Sequence, residues 1–225
     1  MMEIKSGFRQ AIQDYFGLLE KRYPQKAILR LVGDRYKLSR TERNILYRGV
    51  ASREESLRRK EKLILPDHMN NQILHIDALN QLYPVAAYLN GDPVFLSTDG
   101  LLRDAAAVHG TGWLNKHLDR AMSLTDDLIT KSNIEKVHYF VDEKVNHSHE
   151  VASKIRQLSS HDFSTQIYLS REVDMKLRTM ESGIIATSDS QVIDRSQVPV
   201  FDLARHVLTE NFSPDFFNLD LLYHK

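Results

Sequence analysis

Three aspartates each close an apolar run. Gly183-Ile184-Ile185-Ala186-Thr187-Ser188-Asp189 passes from aliphatic residues through two hydroxyl side chains to a carboxylate. Leu74-His75-Ile76-Asp77 and Val137-His138-Tyr139-Phe140-Val141-Asp142 follow the same grammar. Carboxylates brought together repel one another unless a cation or a shared proton compensates. Mg²⁺ and Mn²⁺ are hard ions that bind oxygen donors and retain several waters, so a few carboxylates suffice to hold one. Such an ion orients a water, lowers its pKa and stabilises charge on a phosphate. Asp77, Asp142 and Asp189 are therefore the candidate ligands, supported by Asn80, Ser188 and Asp194. Asp99 and Asp104, in Ser97-Thr98-Asp99-Gly100-Leu101-Leu102-Arg103-Asp104, are candidates for a further catalytic acid. Each position also has a plainer reading. An Asp after a strand often caps the next helix, and Asp99 before Gly100 suits a turn. Recurrence of one pattern on three strands favours the chemical reading.

To bring these side chains together, the strands must lie parallel, because their C-terminal ends then share one edge where ligands bind. The chain alternates accordingly. Strands are expected at 73–77, 94–97, 136–142, 165–169 and 183–187, with helices at 79–89, 116–130, 149–158 and 172–180, and a last helix from 201. This order predicts βαβ units in an α/β three-layer sandwich around a mainly parallel sheet. The fold reading is thus a small all-α basic domain at 1–66, followed by an α/β domain at 72–225. The turn-rich Pro66-Asp67-His68-Met69-Asn70-Asn71 marks the boundary.

In the first part, Phe8, Ile12, Tyr15, Phe16 and Leu19 share one helix face, and Tyr23-Pro24 interrupts it. Ser39-Arg40-Thr41-Glu42 and Ser52-Arg53-Glu54-Glu55 read as capping boxes that open two further helices. Net charge is zero over the chain. Residues 1–66, however, hold 16 Lys+Arg against 8 Asp+Glu, and the remainder 14 against 22. Such asymmetry points either to an acidic partner, nucleic acid above all, or to attraction between the two parts. Arg35, Lys37, Arg40, Arg43 and Arg48, with Tyr36 among them, form the candidate nucleic-acid surface.

Other chemistries are excluded or weak. No cysteine is present, which rules out disulfides, thiolate zinc sites and cysteine nucleophiles. There is no glycine-rich phosphate loop and no nucleophile elbow. His147-Ser148-His149 could bind zinc but reads better as a solvated helix start. Without an apolar stretch long enough for a signal peptide or membrane span, the expectation is a cytoplasmic protein with no membrane partner. The C-terminal Phe212, Phe216, Phe217, Leu219, Leu221, Leu222 and Tyr223 are expected to pack on the core, or else to form a homo-oligomer contact.

Residues from about 72 to 209 resemble the PIN-like superfamily and its NYN branch, dominated by metal-dependent ribonucleases. Ile76-Asp77-Ala78-Leu79-Asn80 is similar to its first-strand Asp-x-x-Asn, and Ala186-Thr187-Ser188-Asp189-Ser190 to its late-strand Thr-x-Asp. The whole chain also resembles an uncharacterised prokaryotic family joining a basic helical domain to such a fold, through Leu31-Val32-Gly33-Asp34-Arg35-Tyr36-Lys37-Leu38. The resemblance implies Asp77, Asp142 and Asp189 as ligands of Mg²⁺ or Mn²⁺, and Asp99 or Asp104 as the helix-borne acid. It implies a nuclease acting on RNA, with DNA second. The alternative is a non-catalytic nucleic-acid-binding or partner-docking protein on the same fold.

Overall fold

The computed structural model describes residues 7–105, 112–159 and 164–223. The opening Met1–Ser6, on which part of the leader reading rests, lies outside them. Four helices come first: α1 (Phe8–Glu20), α2 (Gln25–Arg35), α3 (Arg40–Gly49) and α4 (Arg53–Lys60). Then follow β1 (Ile73–Asp77), α5 (Ala78–Leu89), β2 (Val94–Leu96), β3 (Leu102–Asp104) and α6 (Gly112–Lys131). The alternation resumes with β4 (Lys136–Asp142), α7 (Ser148–Leu158), β5 (Ser164–Ser170), α8 (Val173–Arg178), β6 (Ile184–Ala186) and α9 (Ser190–Arg195). It ends with β7 (Val200–Phe201), α10 (Leu203–Phe212), β8 (Phe217–Asn218) and α11 (Asp220–Tyr223).

The chain forms two compact units, and each draws on more than one stretch of sequence. The first contains residues 1–61, 91–109 and 215–225. Its helices start where the capping boxes place them: Ser39 accepts from the Glu42 amide and Ser52 from the Glu55 amide, with both reciprocal bonds made. Phe8, Ile12, Tyr15, Ile28, Val32, Ile45 and Leu46 form its core. Here the expected second strand departs from the sequence reading. β2 does not join the parallel sheet; it pairs antiparallel with β3 and parallel with β8. Phe95 and Leu219 then close the helical core, so this part of the apolar tail packs on the chain itself.

The second unit contains residues 62–90 and 110–214. Its sheet is wholly parallel in the order β5-β4-β1-β6-β7. Residues 62–64 add a bridge along β7 through Leu63 and Val200, which leaves β5 at the other edge. Near-continuous burial of β1 and β4 is what a parallel sheet covered on both faces requires. One face carries Leu74, Ile76, Val137, Tyr139 and Val141, and Tyr139 reaches toward Asp126 of α6. The other carries Phe140 and Ile185, covered by Val173 and Leu177 of α8 and Val192 of α9. The three-layer α/β sandwich is as the alternation predicts. β7 and α9 lack the length to show a periodicity, and neither was expected.

Gly183 sets how β6 enters this sheet. Its φ is +83°, and a Cβ there would lie 2.6 Å from the Ile73 carbonyl oxygen and 2.9 Å from His75 Nε2. Only glycine combines that conformation with that approach.

Candidate active site

β1 and β6 are neighbours, with Ile76 opposite Ala186. Asp77 and Thr187 therefore emerge side by side at the C-terminal edge. Asp77 precedes α5 but does not cap it with its side chain. Its carboxylate instead accepts the Thr187 hydroxyl at 3.1 Å. Only 8 % of Asp77 is exposed. Burial, and after it the charges of Asp189 and Asp174, push this carboxyl up to about 7 against the opposing Thr187 bond.

Asn80, in the first turn of α5, fixes the loop after β6. Its Oδ1 accepts the Ser188 amide at 2.6 Å and the Ser188 hydroxyl at 2.9 Å, and Gln81 donates to the same oxygen at 2.9 Å. Asp189 caps α9, with Oδ1 accepting the Gln191 and Val192 amides at 2.7 and 3.3 Å. Asp142 ends β4 half-buried and accepts the Lys144 amide at 2.9 Å. The plain reading thus applies to Asp189, which caps a helix, and its charge also acts on Asp77.

The fourth acid is Asp174, which the sequence reading missed. It lies in the first turn of α8, just after β5. Burial raises its pKa, followed by Asp189 and Asp142, while Arg178 and Lys144 oppose the shift. The available signal was Ser170-Arg171-Glu172-Val173-Asp174, an acid arriving a few residues after a strand instead of on its last position. Asp194 is not among the charges acting on Asp77 or Asp174. Lys62 reaches its helix instead, donating to the Ile193 and Ser196 carbonyls at 2.6 and 2.9 Å.

Asp99 and Asp104 correct the sequence reading. Both belong to the first unit, because β2 and β3 do. Asp99 is 1 % exposed and receives Arg103 at 2.8 and 3.0 Å and Arg59 at 3.2 Å. Burial pushes Asp99 up, but Arg103, Ser97 and Arg59 together outweigh it and hold the carboxyl at about 2. Arg48 grips the Asp104 carboxylate at 3.1 Å and its carbonyl at 2.9 Å. Their oxygens are committed to arginines inside that unit.

The basic surface is also smaller than expected. Arg43 turns inward, donating to Asp34 at 2.9 Å and the Leu38 carbonyl at 3.1 Å. It fills the space over Gly33, where a Cβ would lie 2.0 Å from its guanidinium. Arg48 is engaged with Asp104. Arg35 pairs with Asp14 at 3.7 Å and lies over the Tyr36 ring, while Tyr36 donates to Asp14 at 2.7 Å. Arg35, Lys37 and Arg40 remain exposed. Much of the early positive charge thus meets acids from distant sequence within the same unit: Arg48 with Asp104, Arg59 with Asp99, and Lys60 with Asp220 at 2.6 Å.

In the second unit, then, Asp189 and Asp174 act on Asp77, and Asp189 and Asp142 act on Asp174. Two things relieve such repulsion: a proton on Asp77 or a cation among the carboxylates. Oxygen-only donors suit a hard divalent ion. Among the described residues, no three His, Asp or Glu side chains already converge closely enough to grip a metal. No helix among them is long and apolar enough to cross a membrane.

Two family models match successive stretches of the chain. No solved structure matches the chain. It is 29% identical over 190 residues to "Uncharacterized protein MJ0935" of Methanocaldococcus jannaschii, an alignment covering 84% of this chain and 90% of that one. Residues 7–62 match the family described as "Protein of unknown function (DUF434)". Residues 66–206, which include all four aspartates of the cluster, match "Domain of unknown function (DUF5616)", and it is to this family that the chain belongs.

Proposed function

We propose that this chain is a Mg²⁺- or Mn²⁺-dependent nuclease that cleaves RNA phosphodiesters, with DNA as the second substrate class. The observation that carries the reading is Asp77, a buried strand-end carboxylate pushed up to about 7 by burial and by Asp189 and Asp174. Buried acids perturbed by their neighbours cluster at functional sites. The resemblance of Asp77 to Asn80 and of Thr187 to Asp189 to PIN-like motifs supports the same chemistry.

Asp77, Asp142 and Asp189 would hold the ion, with Asp174 taking the role expected of Asp99 or Asp104. The ion would supply positive charge to the phosphate and acidify a water. The remaining work belongs to the chain. Thr187 orients Asp77, and Asn80 holds the Ser188 backbone so that Asp189 stays at the head of α9. Lys144 and Arg178, the cations acting on Asp174, would meet the charge of the phosphate. Arg35, Lys37, Arg40 and Tyr36 would hold the nucleic-acid backbone. A cysteine-free chain suits the reducing cytoplasm, where we take it to act.

One observation favours a second reading, a non-catalytic nucleic-acid-binding or docking protein: the carboxylates do not yet converge among the described residues. Cleavage of labelled single-stranded and structured RNA with Mn²⁺ separates the two, run with wild type, Asp77→Asn and Asp189→Asn. The nuclease reading expects wild-type cleavage that both variants lose. No cleavage by wild type, with Mn²⁺ binding absent by calorimetry, sinks it.

A further inference from the structure

One face of the parallel sheet carries the acid cluster onto a set of rings. Asp77 pairs with Phe140, and Phe140 with Tyr168, so these three share a row across β1, β4 and β5. The next row holds His75, His138 and Gln166. Adjacent strands lie about 4.8 Å apart, which puts Tyr168 roughly 10 Å from Asp77 along its row. Phe140 and Tyr168 stack with centroids 5.0 Å apart and planes at 18°. His138 meets Tyr168 edge to face at 5.6 Å.

Burial changes along these rows. Phe140 and His75 are buried, Phe140 among the apolar side chains of α8 and α9. Tyr168 and His138 are half-buried, and Gln166 is exposed on the edge strand. Gln166 accepts the Tyr168 hydroxyl. Lys136, half-buried one row further on, pairs with Glu135 at 2.7 Å. Tyr168 packs against the same core cluster as Phe140 but stays half-buried. Here stacked rings run out to the sheet edge and end beside an amide and a lysine, in line with the acid that would face a phosphate. Rings give sequence-tolerant stacking to unpaired bases, and an amide can read a base edge.

We propose that Tyr168 and His138 are a stacking platform for single-stranded nucleic acid, receiving bases next to the phosphate held at the acid row. The proposal rests on the nuclease reading for its direction, but its test does not require cleavage. A duplex keeps its bases stacked internally and cannot use the platform, so the substrate class is unpaired strand.

Fluorescence anisotropy on the full chain in EDTA tests it, using labelled single-stranded RNA, DNA of the same sequence and an RNA duplex. Wild type should bind a single strand of either type more tightly than duplex. Tyr168→Leu, which keeps apolar volume, should weaken that binding roughly five- to a hundredfold, as expected for loss of one stacked base. Tyr168→Phe should retain it, and His138→Ala should weaken it by a smaller factor. Circular dichroism confirms that each variant is folded, and His138→Ala carries the test if Tyr168→Leu is not. Equal affinity for duplex and single strand, undetectable binding, or unchanged binding by folded Tyr168→Leu and His138→Ala overturns the platform. Wild-type cleavage alongside those results would leave the nuclease standing. Stacking with neither cleavage in Mn²⁺ nor Mn²⁺ binding would remove the nuclease and keep the platform.

Discussion

The Thr187 hydroxyl donates to the Asp77 carboxylate at 3.1 Å, while its oxygen accepts the Asp189 amide at the same distance. One side chain thereby links the ends of two adjacent strands, with Asn80 Oδ1 a second, longer acceptor at 3.4 Å. Its donation favours the charged form of Asp77, yet burial and the neighbouring acids prevail.

The consequence is a stability that falls as pH rises. Asp77 has a folded pKa of about 7 against an ordinary 3.8, so the folded state binds more protons between those values. The penalty is absent below about pH 4, grows up to pH 7 and is complete above it. Asp77→Asn, which keeps an acceptor for Thr187, should stabilise the protein by roughly 2 kcal/mol or more at pH 8 and by little at pH 4. Urea denaturation at the two pH values reads this directly. Equal effects at both would show that Asp77 is ionised at no cost.

Asn80→Ala removes the acceptor shared by the Ser188 amide and hydroxyl. Ser188 is buried, so a loss of about 1–3 kcal/mol is expected in denaturant unfolding. If the acid cluster binds Mn²⁺, the affinity should also fall, since the loop carrying Asp189 is released.

Asp99→Ala should cost more, about 3–5 kcal/mol, because Arg59 and Arg103 remain buried without their carboxylate. Asp99 has a folded pKa lowered to about 2. Its contribution is therefore present above about pH 4 and lost as pH falls through 2. Thermal unfolding of the variant between pH 7 and pH 2 should converge on wild type at the acid end.

A triple substitution of Arg35, Lys37 and Arg40 by Gln tests the exposed basic surface. Single-strand binding should weaken, and the slope of log affinity against log salt should flatten by about 2, near 0.7 for each phosphate no longer neutralised. An unchanged slope would show that those cations contact no phosphate.

What the sequence revealed follows the range of the forces involved. The boxes at Ser39 and Ser52 are local devices, and both form as read. β1 and β4 are long apolar runs, and their bounds match the expectation. β2 misled because its partner β8 lies far along the chain, and nothing local says which sheet a short strand joins. That pairing goes with Asp99 and Asp104 belonging to the first unit, where arginines hold them. Arg43 misled for a related reason: a run of basic residues does not say which guanidinium turns inward. Gly33, which makes room for it, was the overlooked sign. Asp174 escaped notice because it arrives on a helix and not at the end of a strand.

Gly183 lies at the opposite end of β6 from Asp189 and carries no side chain at all. Any replacement there must push β6 away from the Ile73 carbonyl, and the strand delivers that displacement to the loop that presents Thr187, Ser188 and Asp189. In a saturation-mutagenesis selection for whatever the acid cluster does, Gly183 should therefore score alongside the aspartates, a silent position with an active-site phenotype.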